Sequence, residues 1–103
     1  MIARQWVGET LESDAGTYGK YLEETGVKES RATKGNQGVW LLRRVHDGGA
    51  EFVVVSLWDS FESIKAFAGL EYEKAVYYPE DNKFLLKLTP QVTHFEVLVA
   101  PVR

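Results

Sequence analysis

The stretch from Val39 to Trp58 constrains the fold most. Two β-rich runs, Val39 to Val45 and Phe52 to Trp58, flank His46-Asp47-Gly48-Gly49. An Asp-Gly step between alternating apolar runs is a strong hairpin signal, because a tight turn with left-handed backbone matches the twist of the two strands. A lone hairpin is marginal in water, so other segments must extend the sheet and cover it. Ile2 to Thr10 and Val92 to Val99 alternate polar and apolar residues with β-branched and aromatic content, which predicts a strand at each end of the chain.

Helical spacing fills the gaps. Ser13 and Asp14 offer an N-cap, Ala15, Tyr18, Leu22 and Thr25 recur on one helical face, and Gly26 is the expected stop. Gly16 and Gly19 each cost on the order of 1 kcal/mol inside a helix, so this helix must draw its stability from packing. Val27 to Gln37 is polar and reads as an irregular crossing. Asp59-Ser60-Phe61-Glu62 reads as a cap, Phe61, Ile64 and Phe67 or Ala68 as a stripe, and Gly69 as the end of a second helix. Glu71 to Tyr78, stopped by Pro79, predicts a third helical piece, and Phe84 to Leu88 a partly extended one. The order β, α, β, β, α, β predicts an α+β, ferredoxin-like βαββαβ fold: a four-stranded antiparallel sheet with helices on one face, in a single domain over residues 1–103.

Strand alternation then sorts the side chains. Ala3, Gln5 and Val7, with Val53, Val55, Leu57, Phe95, Val97 and Val99, form the more apolar set and are assigned to the helix side on that ground. The opposite set holds Arg4, Trp6, Val54, Ser56, Trp58, Val92, His94, Glu96 and Leu98, too aromatic to face water. No spare helix remains to cover it, so a homodimer packed through the Trp6, Trp58, His94 and Glu96 face is expected.

Charge and composition exclude several classes of function. Twelve Lys and Arg against fifteen Asp and Glu give a net charge of −3 with no basic block, so no nucleic acid partner is expected. Zero cysteine removes disulfides, thiolate catalysis and thiolate-held metals. His46 and His94 lie on different elements, so no metal site is expected, and no glycine-rich phosphate loop follows a strand, so no flavin or nicotinamide cofactor is expected either. The N-terminus carries no signal-type apolar core and no run suits a membrane span, which leaves a cytoplasmic location without membrane association as the expectation. Arg43 and Arg44 point to opposite faces and form no phosphate clamp.

Glu51-Phe52-Val53-Val54-Val55-Ser56-Leu57-Trp58-Asp59-Ser60, the Phe61 to Gly69 helix, Ala75-Val76-Tyr77-Tyr78-Pro79-Glu80-Asp81 and Val92-Thr93-His94-Phe95-Glu96-Val97 together resemble the antibiotic biosynthesis monooxygenase (ABM) family across nearly the whole chain. The resemblance implies a dimeric α/β barrel with one pocket per subunit between sheet and helices. It places Gln5, Phe67, Tyr72 and Tyr77 at that pocket as ligand-binding residues, suited to stacking an aromatic ligand and orienting its hydroxyls. It assigns no catalytic residue. His94 is expected to pair with Glu96 or Arg4 rather than to act as a base.

The implied activity is a cofactor-independent monooxygenase of a small aromatic, quinol-like molecule, in which the substrate anion itself reduces oxygen. A non-catalytic ligand-binding dimer and a cyclase or isomerase using the same pocket remain open. Heme-degrading relatives hold iron through a histidine, with a tryptophan upstream and an asparagine on the first strand. Those positions fall on Tyr77, Phe67 and Gln5 or Trp6, with no arginine at Lys74 or Asp81 to activate the phenol, so heme degradation is not expected.

Overall fold

The computed structural model describes residues 1–101 of the chain; Val102 and Arg103 of the expected domain lie outside the described residues. Strand β1 (Ile2–Leu11) leads through a 3-10 turn (Glu12–Asp14) into a helix of three parts: α1 (Ala15–Leu22), a π turn (Glu23–Val27) and α2 (Lys28–Ala32). Strands β2 (Asn36–His46) and β3 (Gly49–Trp58) form the hairpin. Asp47 at φ 45° and Gly48 at φ 81° supply the two left-handed residues that the turn needs. Helix α3 (Phe61–Ala68) follows, with Ser60 as its cap: Ser60 Oγ accepts from the Ser63 backbone N–H at 3.2 Å. After an irregular stretch come a short α4 (Asp81–Phe84) and β4 (Thr93–Glu96). The sheet order is β2-β3-β1-β4 with antiparallel neighbours, the ferredoxin-like α+β arrangement.

Four expectations are corrected. The first helix does not stop at Gly26 but runs to Ala32, so the crossing is short. The π turn inserts one residue into the helical phase, so that Val27 and Ser30 stay on the inward face already occupied by Ala15, Tyr18 and Leu22. The third helical piece is absent: residues 71–78 form a strap pinned to residues 90–92, with the Ala75 N–H donating to Pro90 O at 3.0 Å and the Val92 N–H to Glu73 O at 2.9 Å. These long-range bonds, and the side chain of Arg4 described below, take up backbone groups that a helix would need for itself. The last strand is also shorter than its alternation suggests, pairing with β1 over Thr93–Glu96.

The fourth correction is larger, because the two faces of the sheet are reversed. Arg4, Trp6, Gly8 and Thr10 on β1 pair with Ser56, Val54, Phe52 and Ala50 on β3, and this set faces the helices. Arg4, Thr10, Ala50, Phe52, Ser56 and Trp58 are all buried there. Tyr18 of α1 meets Phe52 edge-on at 5.3 Å, and Trp58 lies 5.7 Å from Phe67 of α3. The apolar count misled because area, not number, decides: each buried aromatic hides roughly 150–250 Å². The polar members tolerate burial through internal hydrogen bonds, such as Trp58 Nε1 donating to Ser56 Oγ at 2.8 Å. The expected dimer face of Trp6, Trp58 and His94 is therefore occupied by this chain's own helices and strap. The face left open carries Ala3, Gln5, Val7, Val53, Val55 and Phe95, joined by Trp40 and Leu42 from β2.

Candidate functional site

A half-open cavity of about 60 Å³ lies between the covered face of the sheet, the inner side of the first helix, and the strap. Its walls are Trp6 and Val54 from the sheet, Leu22, Gly26 and Ser30 from the helix, Phe67 from α3, and Val76 and Tyr78 from the strap. The lining is mainly apolar. Each wall has a local cause. The Trp6 ring lies back over Gly8, where an added Cβ would come within 2.6 Å of the indole Cζ2, so glycine lets the tryptophan reach the cavity. Gly26 sits within the π turn, where an added Cβ would lie 3.7 Å from the Tyr78 ring.

Arg4 is the most unusual wall residue. It is 5% exposed, yet it forms no ion pair with a carboxylate among the described residues. Its Nη1 donates to the Tyr72 carbonyl and its Nη2 to the Lys74 carbonyl at 3.1 Å, which ties the strap to β1. Nη1 also lies 3.2 Å from Nε2 of His94, its neighbour in register. Phe67 lies beneath the guanidinium, 5.8 Å from centroid to Cζ. Burial lowers its pKa to about 10, with the nearby Tyr78 phenol opposing that shift.

His94 is held in an aromatic cluster with Phe61 at 5.7 Å and Tyr72 at 5.5 Å. Burial, and then the Arg4 cation, lower its pKa, against a smaller raising effect of Glu73. A neutral imidazole accepting at Nε2 carries its proton on Nδ1, so the Arg4 contact fixes the tautomer. The pairing with Arg4 is therefore present, but on the helix-covered face.

Asp81 is buried at the other side of the cavity. Its Oδ1 accepts from the Tyr18 hydroxyl at 2.7 Å and its Oδ2 from the Tyr78 N–H at 2.6 Å. The Tyr18 phenol is pushed well above its ordinary range, by burial first and then by the Asp81 hydrogen bond. The Tyr78 phenol is raised as well, by burial and then by Glu29.

The expected ligand residues are placed apart. Phe67 lines the cavity. Gln5 does not: it sits between Val55 and Thr93 on the open face, because the sheet faces are reversed. Tyr72 contributes its carbonyl to Arg4 while its ring packs on Phe61 and His94 outside the cavity wall. Tyr77 packs edge-on against Trp6 at 6.3 Å; its hydroxyl accepts from Trp6 Nε1 at 3.3 Å and donates to the Thr89 carbonyl. Sequence reasoning missed Arg4, Ser30, Tyr78 and Asp81. Arg4 had a readable signal, a charge alternating with tryptophan on a strand flanked by apolar residues, whereas Ser30 and Asp81 depend on the π turn and the strap.

No protein-family model matches the chain, and no curated relative does. Solved structures do. Rv0793 from Mycobacterium tuberculosis superposes with a TM-score of 0.63 at 16% identity, over 99% of this chain and 100% of that one. The protein has the fold of the antibiotic biosynthesis monooxygenase proteins. A variant of MhuD with two manganese protoporphyrin IX molecules bound per active site aligns over all of both chains, with a TM-score of 0.61 and 19% identity. MhuD from Mycobacterium tuberculosis, a heme-degrader with two hemes bound in its active site, gives 0.58 and 19% over 97% of this chain and 98% of that chain.

The residues present do not fit heme. The Tyr77 hydroxyl, at the position expected to face iron, is engaged by Trp6 and Thr89. His94 Nε2 is engaged by Arg4. The cavity is also smaller than the roughly 150 Å³ that encloses one benzene in an engineered apolar site, so a single ring enters only by using its open mouth.

Proposed function

We propose that the protein binds a small aromatic molecule in the cavity beneath the strap and acts on it as a cofactor-independent monooxygenase. The observation that carries this reading is the wall of Trp6, Phe67, Val54 and Tyr78 around a half-open space, with one cation, Arg4, at its edge. Apolar and aromatic lining with few polar groups is the usual character of a site that orients a flat ligand. The ABM fold and the oxygen chemistry implied by a heme-degrading structural neighbour support the oxygenase class. The balance of the reaction is a quinol that supplies all four electrons to dioxygen: one ring C–H becomes C–OH, the two quinol hydroxyls lose their protons as the ring becomes a quinone, and the second oxygen atom leaves as water. The protein supplies orientation and exclusion of bulk water.

Two copies work together in this reading, packed sheet to sheet through the open face. Trp40, Leu42 and Phe95 are 42%, 49% and 50% exposed there, alongside Val53 and Val55. An apolar patch of that extent on a single protomer marks an interaction surface. Arg44 and Glu51, paired at 2.8 Å on the same face nearer the hairpin turn, suit a polar rim.

Oxygen uptake measured over a panel of quinols tests the activity: consumption that saturates with one quinol and ends in a hydroxylated quinone carrying one oxygen atom from O2, without hydrogen peroxide, is expected. A hemin titration separates the rival activity. A saturable one-to-one Soret shift, followed by bleaching under reductant, would falsify the small-aromatic reading in favour of heme degradation.

A further inference from the structure

We propose that the cavity takes its aromatic ligand as an anion, a carboxylate or phenolate, whose charged oxygen sits on the unused N–H groups of Arg4. The proposal rests on the pocket reading above and names the class of ligand that the pocket selects.

The geometry of Arg4 carries the argument. A guanidinium removed from water costs several kcal/mol unless a counter-charge or a full set of acceptors compensates it. Here the acceptors are two backbone carbonyls and one imidazole nitrogen, all of them uncharged, together with the face of Phe67. Among the described residues Nε–H has no acceptor, and Nη2 has only Lys74 O. No sealed-off side-chain nitrogen or oxygen among the described residues lacks a partner, so the unpaired Nε is not sealed off, and Arg4 lines the cavity. Nε–H with the neighbouring Nη2–H is the edge of the guanidinium that meets a carboxylate through two parallel bonds.

The other charged group on the cavity wall does not compete for this place. Asp81 spends its two oxygens on the Tyr18 hydroxyl and the Tyr78 N–H. A ligand is thereby oriented: anionic oxygen on Arg4, ring against Trp6, Val54 and Phe67, and the far edge toward Asp81. A neutral ring of the same shape leaves the charge on Arg4 uncompensated and is rejected by that difference.

The test uses the wild-type protein with benzoate and benzamide, which share a shape and differ in charge. Calorimetry at neutral pH is expected to show benzoate binding at least about tenfold more tightly. In the ¹⁵N spectrum, the Arg4 Nε–H resonance, assigned by its loss in Arg4→Gln, is expected to move with benzoate and not with benzamide. The tenfold preference is expected to vanish in Arg4→Gln and to persist in part in Arg4→Lys, each checked for native circular dichroism. Equal binding of the two probes leaves the aromatic pocket standing and removes the anion site. A benzoate preference that leaves the Arg4 resonance in place, or survives in Arg4→Gln, also overturns the proposal. Binding of neither probe removes the pocket and the anion site together.

Discussion

The covered and the open face of this sheet differ in a way that apolarity does not anticipate. On the covered face Arg4, Thr10 and Ser56 are buried among aromatics, and each has a hydrogen-bond partner within the chain. On the open face Trp40, Leu42 and Phe95 stand half in water, with Val53 and Val55 partly exposed beside them. Bulk and internal hydrogen bonding choose the face that folds, and the leftover β-branched and aromatic side chains form the open face proposed above as the contact between copies.

The largest test of that contrast is Trp58→Ala. Trp58 is fully buried and donates to Ser56, so its loss should lower unfolding free energy by about 3–5 kcal/mol in denaturant titration. A loss below about 1 kcal/mol would place Trp58 on an open face and undo the reversal. Tyr18→Phe comes next, at about 1–3 kcal/mol, because it leaves Asp81 Oδ1 buried without its donor. If calorimetric melting is unmoved, Asp81 has another partner and the strap is not anchored there.

Tyr77→Phe should cost about 0.5–1.5 kcal/mol, since its hydroxyl bridges Trp6 and Thr89, whereas Tyr72→Phe should be close to neutral because its contacts are those of ring and carbonyl. Equal effects in the two variants would contradict this division between a structural and a free hydroxyl. Protonation gives a further comparison. His94 has a lowered pKa in the folded state, so between that value and the ordinary 6.5 the unfolded chain binds the extra proton. Stability contributed by its neutral form is therefore complete above that window and declines as the pH falls through it, and His94→Gln should flatten the slope. An unchanged slope would show that His94 is not the titrating group.

The smallest effect on the protomer belongs to the open face. Trp40→Glu should change protomer stability by less than about 0.5 kcal/mol while shifting the mass seen by light scattering from a dimer to the 11.7 kDa monomer. A variant that remains dimeric would move the association surface elsewhere.

The hairpin, the capped α3 and the order of strands were legible because Asp47-Gly48, Ser60 and the alternating runs act locally. Phe67 was readable for the same reason, as the end of a short amphipathic helix. What stayed hidden depends on distant partners. Residues 71–78 have helical spacing, but their carbonyls are claimed by Arg4 and by residues 90–92. Gly26 reads as a stop, yet the π turn carries the helix past it because Val27 and Ser30 can then be buried. Gln5 was misplaced by one face, the ordinary consequence of deciding a period-two pattern by apolar count.

The tie between Arg4 and the strap has a consequence for how the chain comes to its final form. Its three contacts join residues separated by 68, 70 and 90 positions. Contacts so distant in sequence carry a large loop-closure cost and form only after the intervening hairpin has closed that distance. During synthesis the first strand emerges long before the strap, leaving Arg4 solvated on an unfinished sheet. The roof of the cavity is therefore the last part to assemble, and in native-state hydrogen exchange the amides of Ala75 and Val92 should open before those of the β1–β3 ladder.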